Sequence, residues 1–228
     1  MAFTHSPKIV TDGLIFYVDP ANPRSYVSGS TTCNILVSSN TGSLLNDVTF
    51  DSGSQGSWYF DGTDECINCG DMEMNGWTGF AVEAWYKAGE DTTTNRRIVS
   101  KDQKGTQGAW ILWKAGDAQL WWQTHDGSWK YAKYLSYSED LDWHHVVGTL
   151  LDGTSTLYLD GVSVASVGSV GALDDADNEE VVIGADSDVA SPEHEWLGQI
   201  ANVKIYNRGL SPEEVLHNYN ALKGRFGL

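Results

Sequence analysis

Phe80-Ala81-Val82-Glu83-Ala84-Trp85-Tyr86 is the stretch of sequence that says most about the fold. Phe80, Val82, Ala84 and Tyr86 fall on one side of an extended chain, and the residues between them fall on the other. A period of two over this length indicates a β-strand. Similar short segments recur about every ten residues from here toward the end of the sequence, with turns between them, and this spacing predicts an antiparallel β-sandwich or barrel.

The other predicted strands follow from the same alternation and from the turn residues between apolar runs. Asp160-Gly161 is the strongest turn signal, because a two-residue hairpin turn needs positive φ. Residues 33–57 mix Ser, Asn and Gly with brief apolar runs, which predicts loops with short strands. The remaining strands are predicted over residues 13–19, 97–101, 108–114, 119–124, 128–135, 143–151, 155–160, 162–167, 181–185 and 196–206.

One helix is predicted near the end of the sequence. Ser211-Pro212-Glu213-Glu214 has the pattern of a capping box, with Ser as N-cap and Pro at the first helical position. Apolar residues then follow at helical spacing, and we expect one of them, Leu216, to be buried against the sheet. Gly224 is the expected stop. The helix is therefore predicted over about residues 211–222, where it lies on the sandwich and closes one edge.

The sequence is predicted to form a single domain over residues 1–228. It contains no linker, no internal repeat and no second composition class. The all-β core is predicted over about residues 13–210, and the helix completes it. A chain of this length is long enough for one large β domain with a proper hydrophobic core.

The charge balance excludes several classes of partner. The sequence contains 31 acidic and 14 basic residues, a formal net charge of −17. Such a surface repels phosphate backbones and anionic lipids, so we expect neither nucleic-acid binding nor membrane insertion. It favours cations such as calcium. The first residues lack the apolar core of a signal peptide, which predicts synthesis in a cytoplasm without export by the usual route.

Three cysteines do not make a disulfide framework. Cys66 and Cys69 have the C-x-x-C spacing, but the sequence offers no second ligand pair for a structural zinc site. If the segment is a strand, the two side chains point to opposite faces and cannot easily share a bond. We therefore predict buried or half-buried reduced thiols without metal.

Six segments together resemble one known family. FDGTDECI at residues 60–67, FAVEAWY at 80–86, RIVSK at 97–101, WHHVVGT at 143–149 and LYLDGV at 157–162 are similar to motifs of laminin-G-like jelly-roll domains in the concanavalin A-like lectin/glucanase superfamily. Residues 196–214 resemble that family's closing strand and terminal helix. The segments occur in family order. The resemblance implies two stacked antiparallel sheets, often with a structural calcium at one edge.

The two ends of the sequence suggest a narrower resemblance. Residues 5–23 and 218–226 are similar to the opening and ending of such domains in structural proteins of tailed phages, notably marine ones. Virion proteins are made in the host cytoplasm and leave by lysis. That route agrees with the missing signal peptide, so the resemblance implies location in a virion.

Catalytic patterns are absent from the sequence. Glucanases of this fold carry E-x-D-x-x-E on one strand, and no such pattern occurs; Glu193-His194-Glu195 comes closest but follows Ser191-Pro192 and is interpreted as a loop. Glu83 is a lone acid within a strand. His144 and His145 are adjacent, so they point to opposite faces and cannot easily bind one metal. Nucleophile and phosphate-loop motifs are also missing. We predict no catalytic residue and no enzyme activity.

Calcium requires several hard oxygen ligands, and four carboxylates are candidates. Asp61 and Asp64 lie in the first motif of the resemblance, and Asp186 and Glu195 precede the last strand. Many relatives carry an acidic pair in the closing strand where this chain has Ala201-Asn202, which weakens the expectation of a calcium of the family type. A solvated acidic face is the alternative. No cofactor is required by any pattern, and a bound calcium stays open.

Aromatic residues are concentrated between positions 110 and 134, and five of them are candidates for a ligand-binding platform: Trp113, Trp121, Trp122, Trp129 and Tyr131. Sugars stack on flat exposed rings beside amides and acids. Because Trp121 and Trp122 are adjacent on a strand, at least one should point away from the core, and parity alone does not say which. In the alternatives, neighbouring segments cover these rings or the rings form a protein interface.

These observations favour a non-enzymatic virion structural protein, a decoration or appendage, that displays a lectin-like sandwich. They leave open whether the sandwich also binds glycans for adhesion and whether the chain forms a homo-oligomer. Expected partners are other virion proteins of the capsid or tail, and surface glycans. The alternative is a cellular or secreted carbohydrate-binding module, and a glycoside hydrolase on the same fold is the least favoured.

Overall fold

The computed structural model describes residues 8–90, 93–103, 107–116, 119–137, 140–175 and 179–228. These residues form two antiparallel sheets of eight strands each, which pack around one main hydrophobic core, and a short helix follows them. The predicted two-sheet sandwich with a C-terminal helix is confirmed. No helix within the described ranges is long and apolar enough to span a bilayer.

The bounds of the eleven strands predicted outside residues 33–57 agree with the structure to within two residues, and the strands Ser57–Asp61 and Cys66–Asp71 have no predicted bounds. The region predicted as loops with short strands, 33–57, contains three strands of three to five residues. In chain order the described strands are β1 (Leu14–Val18), β2 (Thr32–Asn34), β3 (Thr41–Leu45), β4 (Thr49–Asp51), β5 (Ser57–Asp61), β6 (Cys66–Asp71), β7 (Phe80–Ala88), β8 (Arg96–Gln103), β9 (Gln107–Ala115), β10 (Gln119–His125), β11 (Trp129–Tyr134), β12 (Trp143–Leu151), β13 (Thr154–Leu159), β14 (Val162–Val167), β15 (Glu180–Ile183) and β16 (Leu197–Tyr206).

The two sheets combine strands from distant parts of the chain. In the first sheet the order is β14-β13-β12-β7-β16-β5-β4, and β1 also pairs with β16. In the second sheet it is β11-β10-β9-β8-β15-β6-β3-β2. Consecutive strands from β8 to β11 form one half of the second sheet, so the tryptophan-rich segment is brought together on neighbouring strands.

The alternation in β7 sorts its side chains between two environments. Phe80 and Val82 lie in the main core between the sheets, whereas Glu83 lies on the opposite face of the first sheet. The second sheet contributes Trp110 and Trp122 to the same core, and the rings of Phe80 and Trp122 are 5.5 Å apart. The core therefore rests on large aromatic rings that meet across the sandwich.

The hairpin between β13 and β14 has the predicted turn. Asp160 and Gly161 adopt φ values of 50° and 80°, the left-handed backbone that a two-residue turn of this kind requires. Asp160 also accepts a hydrogen bond from His145 N through Oδ1 at 2.9 Å and lies 2.8 Å from His144 Nδ1 through Oδ2. The side chain of Asp160 therefore also contacts the neighbouring strand β12.

The C-terminal helix, α1 (Pro212–Leu222), begins with the predicted capping box. Ser211 Oγ accepts from Glu214 N at 3.3 Å, and Glu214 Oε2 accepts from Ser211 N at 2.9 Å. Gly224 lies within a short 3₁₀ turn (Lys223–Arg225) that continues from the helix. The helix therefore starts where the sequence predicts, but Gly224 does not act as a sharp stop.

The expected burial of Leu216 is wrong. Leu216 is 45% exposed, and the buried positions of the helix are Val215 and Asn218. The reason is a pair of hydrogen bonds to the sheet. Asn218 Nδ2 donates to Glu83 Oε2 at 2.7 Å and to Tyr206 Oη at 3.0 Å. These bonds to the sheet set the rotation of the helix about its axis, so Leu216 turns away from the sheet.

Beneath the helix, the outer face of the first sheet carries a buried ion pair. Glu83 Oε1 lies 2.6 Å from Lys204 Nζ and 3.1 Å from His145 Nε2, and all three side chains are fully buried. Burial alone would raise the pKa of Glu83, but the charges of Lys204 and His145 lower it to about 2. The acid that looked isolated in the sequence therefore joins two strands and the helix.

The cysteines follow the predicted parity. Cys66 packs with Val182 on the outer face of the second sheet, whereas Cys69 belongs to the main core. Both are buried free thiols in the described structure. Burial raises the pKa of Cys66 to about 12 and that of Cys69 well above its usual value. That they carry no metal stays a prediction.

Candidate ligand-binding face

The register of β9, β10 and β11 gathers aromatic and polar side chains on the outer face of the second sheet. Trp121 pairs with Trp113 on one side and with Lys133 on the other, and Gln123 pairs with Tyr131 in the next row. Because side chains two residues apart share a face, these rows lie together. We call the surface formed by Trp113, Trp121, Gln123, Trp129, Tyr131 and Lys133 the aromatic face.

The rings on the aromatic face contact each other edge to face. The Trp113 and Trp121 ring centroids are 4.9 Å apart at 70°, and those of Trp121 and Tyr131 are 6.0 Å apart at 82°. Lys133 Nζ lies 3.8 Å from the Trp121 ring centroid and 4.5 Å from that of Tyr131. Trp121 Nε1 donates to Gln119 Oε1 at 2.9 Å, which fixes the indole plane.

Four of the five predicted platform residues lie on this face, with different exposure. Tyr131 is 39% exposed, Trp121 and Trp129 are half-buried, and Trp113 is 8% exposed. Trp122, the fifth candidate, does not belong to the set. It is fully buried in the main core, because its parity on β10 is opposite to that of Trp121.

Arg97 lies beside the aromatic face, and neither Arg97 nor its member Gln123 has a direct signal in the sequence. The Arg97 guanidinium carbon lies 4.6 Å from the Trp113 ring centroid, and Nη2 lies 3.3 Å from Asp102 Oδ2. Arg97 Nη1, Trp113 Nε1 and Gln123 Oε1 are buried without a hydrogen-bond partner among the described residues. Buried polar atoms normally have partners, so these three atoms are exceptions beneath the rings of the aromatic face. Their discovery needed the strand register, which places them beside the tryptophans.

The loop between β15 and β16, residues 184–196, lies beside Arg97 on the same side of the sheet. Arg97 N donates to His194 O at 2.8 Å, and Ser187 N donates to Asp102 O at 2.8 Å. Val189 of this loop packs over Cys66 and Val182 on the outer face. The aromatic face therefore has the loop at one side and the edge strand β11 at the other.

The structure does not gather the four predicted calcium ligands. Asp61 is the last residue of β5, where Oδ1 accepts from Thr63 N at 2.9 Å and its backbone N donates to Glu65 Oε2 at 3.0 Å. Asp64 lies in the turn that follows, and Glu195 precedes β16. In the described ranges, the group close enough to share an ion is instead Asp186, Glu193 and His194. Of the four predicted ligands only Asp186 belongs to this group, and calcium binding stays a prediction.

The closing strand also differs from the calcium-binding relatives that the resemblance suggested. Asn202 occupies a bulge of β16 with φ of 51°, and its Nδ2 donates to Tyr17 Oη at 3.2 Å and to Asp19 Oδ2 at 3.1 Å. Its Oδ1 accepts a hydrogen bond from Lys204 Nζ. Arg225 Nη1 lies 2.9 Å from Asp19 Oδ2. Protein cations and amides therefore supply the partners of Asp19 at this edge.

One carboxyl pair has the perturbed acidity that catalysis often uses. Burial and a hydrogen bond with Asp61 raise the pKa of Glu65 to about 7, and the same bond lowers the pKa of Asp61. A glycosidase separates its two carboxyl groups by about 5 Å or more, so that the glycosidic bond fits between them. Since the side chains of Asp61 and Glu65 form a hydrogen bond with each other, they leave no room for a substrate between them.

The family follows from comparison of the whole sequence with known families. The model of the concanavalin A-like lectin/glucanases superfamily matches residues 61–216. The chain belongs to this superfamily. No curated protein matches the sequence significantly.

Solved structures share the fold at low sequence identity. The binding domain of Paraclostridial Mosquitocidal Protein 1 matches with a TM-score of 0.70 and 15% identity, over 92% of this chain and 52% of that one. Domain 4 of AbnA, a GH43 extracellular arabinanase from Geobacillus stearothermophilus, in complex with arabinotriose, matches with a TM-score of 0.68 and 14% identity, over 90% and 98%.

A third match is the ligand binding domain of botulinum neurotoxin serotype D in complex with N-acetylneuraminic acid, with a TM-score of 0.69 and 14% identity, over 91% of this chain and 50% of that one. This chain therefore spans about half the length of the two toxin domains and nearly all of the arabinanase domain. At these identities the matches show a common fold, which occurs in binding domains and within a glycoside hydrolase.

Proposed function

We propose that this chain is a non-enzymatic glycan-binding module and that the aromatic face is its binding surface. The observation that carries the proposal is the row formed by Trp113, Trp121 and Lys133 on three neighbouring strands, with Tyr131 beside it. Sugar rings present apolar C–H faces that stack on aromatic rings, and their hydroxyl groups need polar partners nearby. Lys133 is exposed beside the rings of Trp121 and Tyr131 and supplies such a partner.

The character of the face favours an acidic glycan. The chain carries a net charge of −17, yet Arg97 and Lys133 lie against the rings of this face. A carboxylate or sulfate on the ligand would pair with the exposed Lys133, whereas Arg97 is buried and already paired with Asp102, and the rest of the surface would repel the ligand. Two structures with this fold were solved with sugars, N-acetylneuraminic acid and arabinotriose. Those sugars are the first ligands to try.

Several observations support a role in binding without catalysis. Glu83 is fully buried in its ion pair with Lys204, so it cannot reach a substrate. Asp61 and Glu65 bond to each other. The six residues of the aromatic face are aromatic, amide and cationic, and Asp102, which pairs with the adjacent Arg97, is buried. These groups suit recognition of a sugar more than cleavage of a glycosidic bond.

A glycan array tests the proposal directly. We expect the wild-type chain to bind a subset of glycans, with acidic ones preferred. Trp121→Ala should weaken binding about tenfold, equal to about 1.4 kcal/mol. Ser28→Arg is the matched control, because Ser28 lines a separate cleft of about 380 Å³ near Tyr26 and Phe50. If Ser28→Arg abolishes binding and Trp121→Ala does not, the binding surface is that cleft.

The biological setting is a further proposal, that of a decoration or appendage displayed on a virion. Its support is the resemblance of residues 5–23 and 218–226 to the ends of phage structural domains. The alternative is a cellular or secreted carbohydrate-binding module, which the same aromatic face would serve. Genes for capsid and tail proteins beside the coding sequence would support the virion setting, and a neighbourhood of polysaccharide-degrading enzymes would contradict it.

A further inference from the structure

A second group of polar side chains lies in the loop between β15 and β16, apart from the rings of the aromatic face. Asp186, Glu193 and His194 each place one ligand atom, a carboxylate oxygen or an imidazole nitrogen, within 4.8 Å of the other two. Spacing alone is weak support, since acidic groups commonly gather on protein surfaces without an ion. The buried carboxylate of Asp186 provides independent support.

Asp186 is fully buried, and its two oxygens have different surroundings. Oδ1 accepts hydrogen bonds from the backbone N of Asp188 at 3.3 Å and of Glu193 at 3.2 Å. Oδ2 is buried and has no hydrogen-bond partner in the described part of the chain. An ionised oxygen in such a place costs free energy unless a donor or a cation faces it.

His194 faces that oxygen across a gap. His194 Nδ1 lies 3.9 Å from Asp186 Oδ2, too far for a hydrogen bond, and it has no such partner among the described residues either. Two ligands bound at about 2.0–2.1 Å to one tetrahedral ion lie about 3.3–3.4 Å apart. The two atoms are therefore within about half an ångström of the separation at which they would share one ion.

We propose that Asp186, Glu193 and His194 bind a divalent transition-metal ion, with zinc as the best fit. An imidazole nitrogen combined with carboxylates suits zinc, whereas calcium takes oxygen ligands at longer distances. Three protein ligands leave a coordination position for water. The ligand set differs in chemistry from the four carboxylates that the sequence suggested for calcium.

The ion would hold the loop against the edge of the aromatic face. His194 O accepts from Arg97 N at 2.8 Å, and Ser187 Oγ donates to Asp102 O at 2.7 Å, so the loop already contacts β8 at two points. An ion that joins Asp186 to His194 closes the loop between these points. The site does not depend on the proposed function, since metal binding is measured without a glycan.

Calorimetric titration of the full chain, stripped of metal with a chelator, tests the site with zinc, calcium and magnesium as separate probes. We expect a single equivalent of zinc per chain, and calcium and magnesium at least about a hundredfold weaker. Zinc should also raise the melting temperature, because it binds the folded chain. Failure to bind zinc, or calcium bound as tightly as zinc, would overturn the proposal.

Two variants and a matched control locate the ion. His194→Asn removes the imidazole but keeps a residue type that tolerates the φ of 60° found here, and Glu193→Gln keeps the size of an exposed side chain. Each should weaken zinc binding by about tenfold or more, equal to about 1.4 kcal/mol. His125→Asn is the control, since it removes an imidazole 3.7 Å from Asp174, outside the cluster. Wild-type zinc affinity in His194→Asn, or an equal loss in His125→Asn, would show that the ligands lie elsewhere.

Discussion

Gly148 of β12 lies directly against the indole of Trp122 on the facing sheet. A Cβ atom at position 148 would come within 2.1 Å of Trp122 Cδ2 and 2.4 Å of Cε3. Real carbon atoms do not approach this closely, and the ring is enclosed by the main core. Because Gly148 has no side chain, the first sheet leaves room for the indole of Trp122 on the second sheet.

Gly148→Ala should destabilise the fold by about 3 kcal/mol, because an overpacked core must shift the buried ring or the strand. Gly168→Ala is the matched control, since no described atom lies within 4 Å of its Cβ position. Urea unfolding of both variants measures the difference. Equal midpoints for the two variants would mean that Trp122 does not occupy this position.

Glu83 should make stability depend on acid pH. Its pKa is about 2 in the folded chain, below the usual value of 4.5, because Lys204 and His145 stabilise its charge against burial. A lowered pKa gives stability that is complete above about pH 4.5 and lost as the pH falls toward 2, on the order of 3 kcal/mol in all. Thermal melts of the wild type should fall steeply in that window.

A variant without the ion pair is the control for that window. In Glu83→Gln with Lys204→Met, position 83 no longer titrates, so the melting temperature should depend less on pH between about 4.5 and 2. Parallel pH profiles for the two proteins would show that the acid sensitivity comes from other carboxyl groups.

Three substitutions in the helix should show how much its N-cap, a buried position and an exposed position each contribute to the free energy of unfolding. Ser211→Ala should cost about 0.5–2 kcal/mol, because it removes the acceptor of Glu214 N. Val215→Ala should cost about 2 kcal/mol, because Val215 is fully buried. Leu216→Ala should cost less than either, within about 0.5 kcal/mol, since Leu216 is 45% exposed. A loss at Leu216 that exceeds the loss at Val215, in thermal melts, would contradict this orientation of the helix.

The sequence was sufficient for the fold because alternation and turn residues are local properties. The period of two in residues 80–86, the Asp160-Gly161 turn and the Ser211 capping box each depend on neighbours in the chain, and the structure confirms all three. The expected burial of Leu216 was wrong because the orientation of the helix depends on the hydrogen bond between Asn218 and Glu83, which are 135 residues apart in the sequence.

The candidate site was predicted less completely, for a related reason. Parity showed that Trp121 and Trp122 point to opposite faces, but strand register decides which of them meets the core. Arg97 reaches Trp113 only because β8 pairs with β9. Such contacts between strands leave no local pattern in the sequence.

Trp121→Ala and Trp122→Ala should differ in how much they destabilise the fold. Trp122 is fully buried among Phe80 and Trp110, so its loss should cost about 3–5 kcal/mol. Trp121 is half-buried on the outer face, and its loss should cost clearly less. Denaturant titration of both variants measures the two costs. A comparable, large loss for both would mean that Trp121 serves mainly to stabilise the fold.

The indole N–H signal of Trp121 is the best reporter of glycan binding to the aromatic face. The 15N-labelled chain is titrated with N-acetylneuraminic acid, with arabinotriose and with the best ligand from the array, while all indole and backbone amide signals are followed. The signal of Trp121 should shift with a saturating dependence on at least one ligand, because the ring lies on the proposed surface, whereas the signals of the buried Trp58 and Trp196 should stay in place. An unchanged Trp121 signal, while residues that line the cleft near Tyr26 shift on binding, would contradict the account.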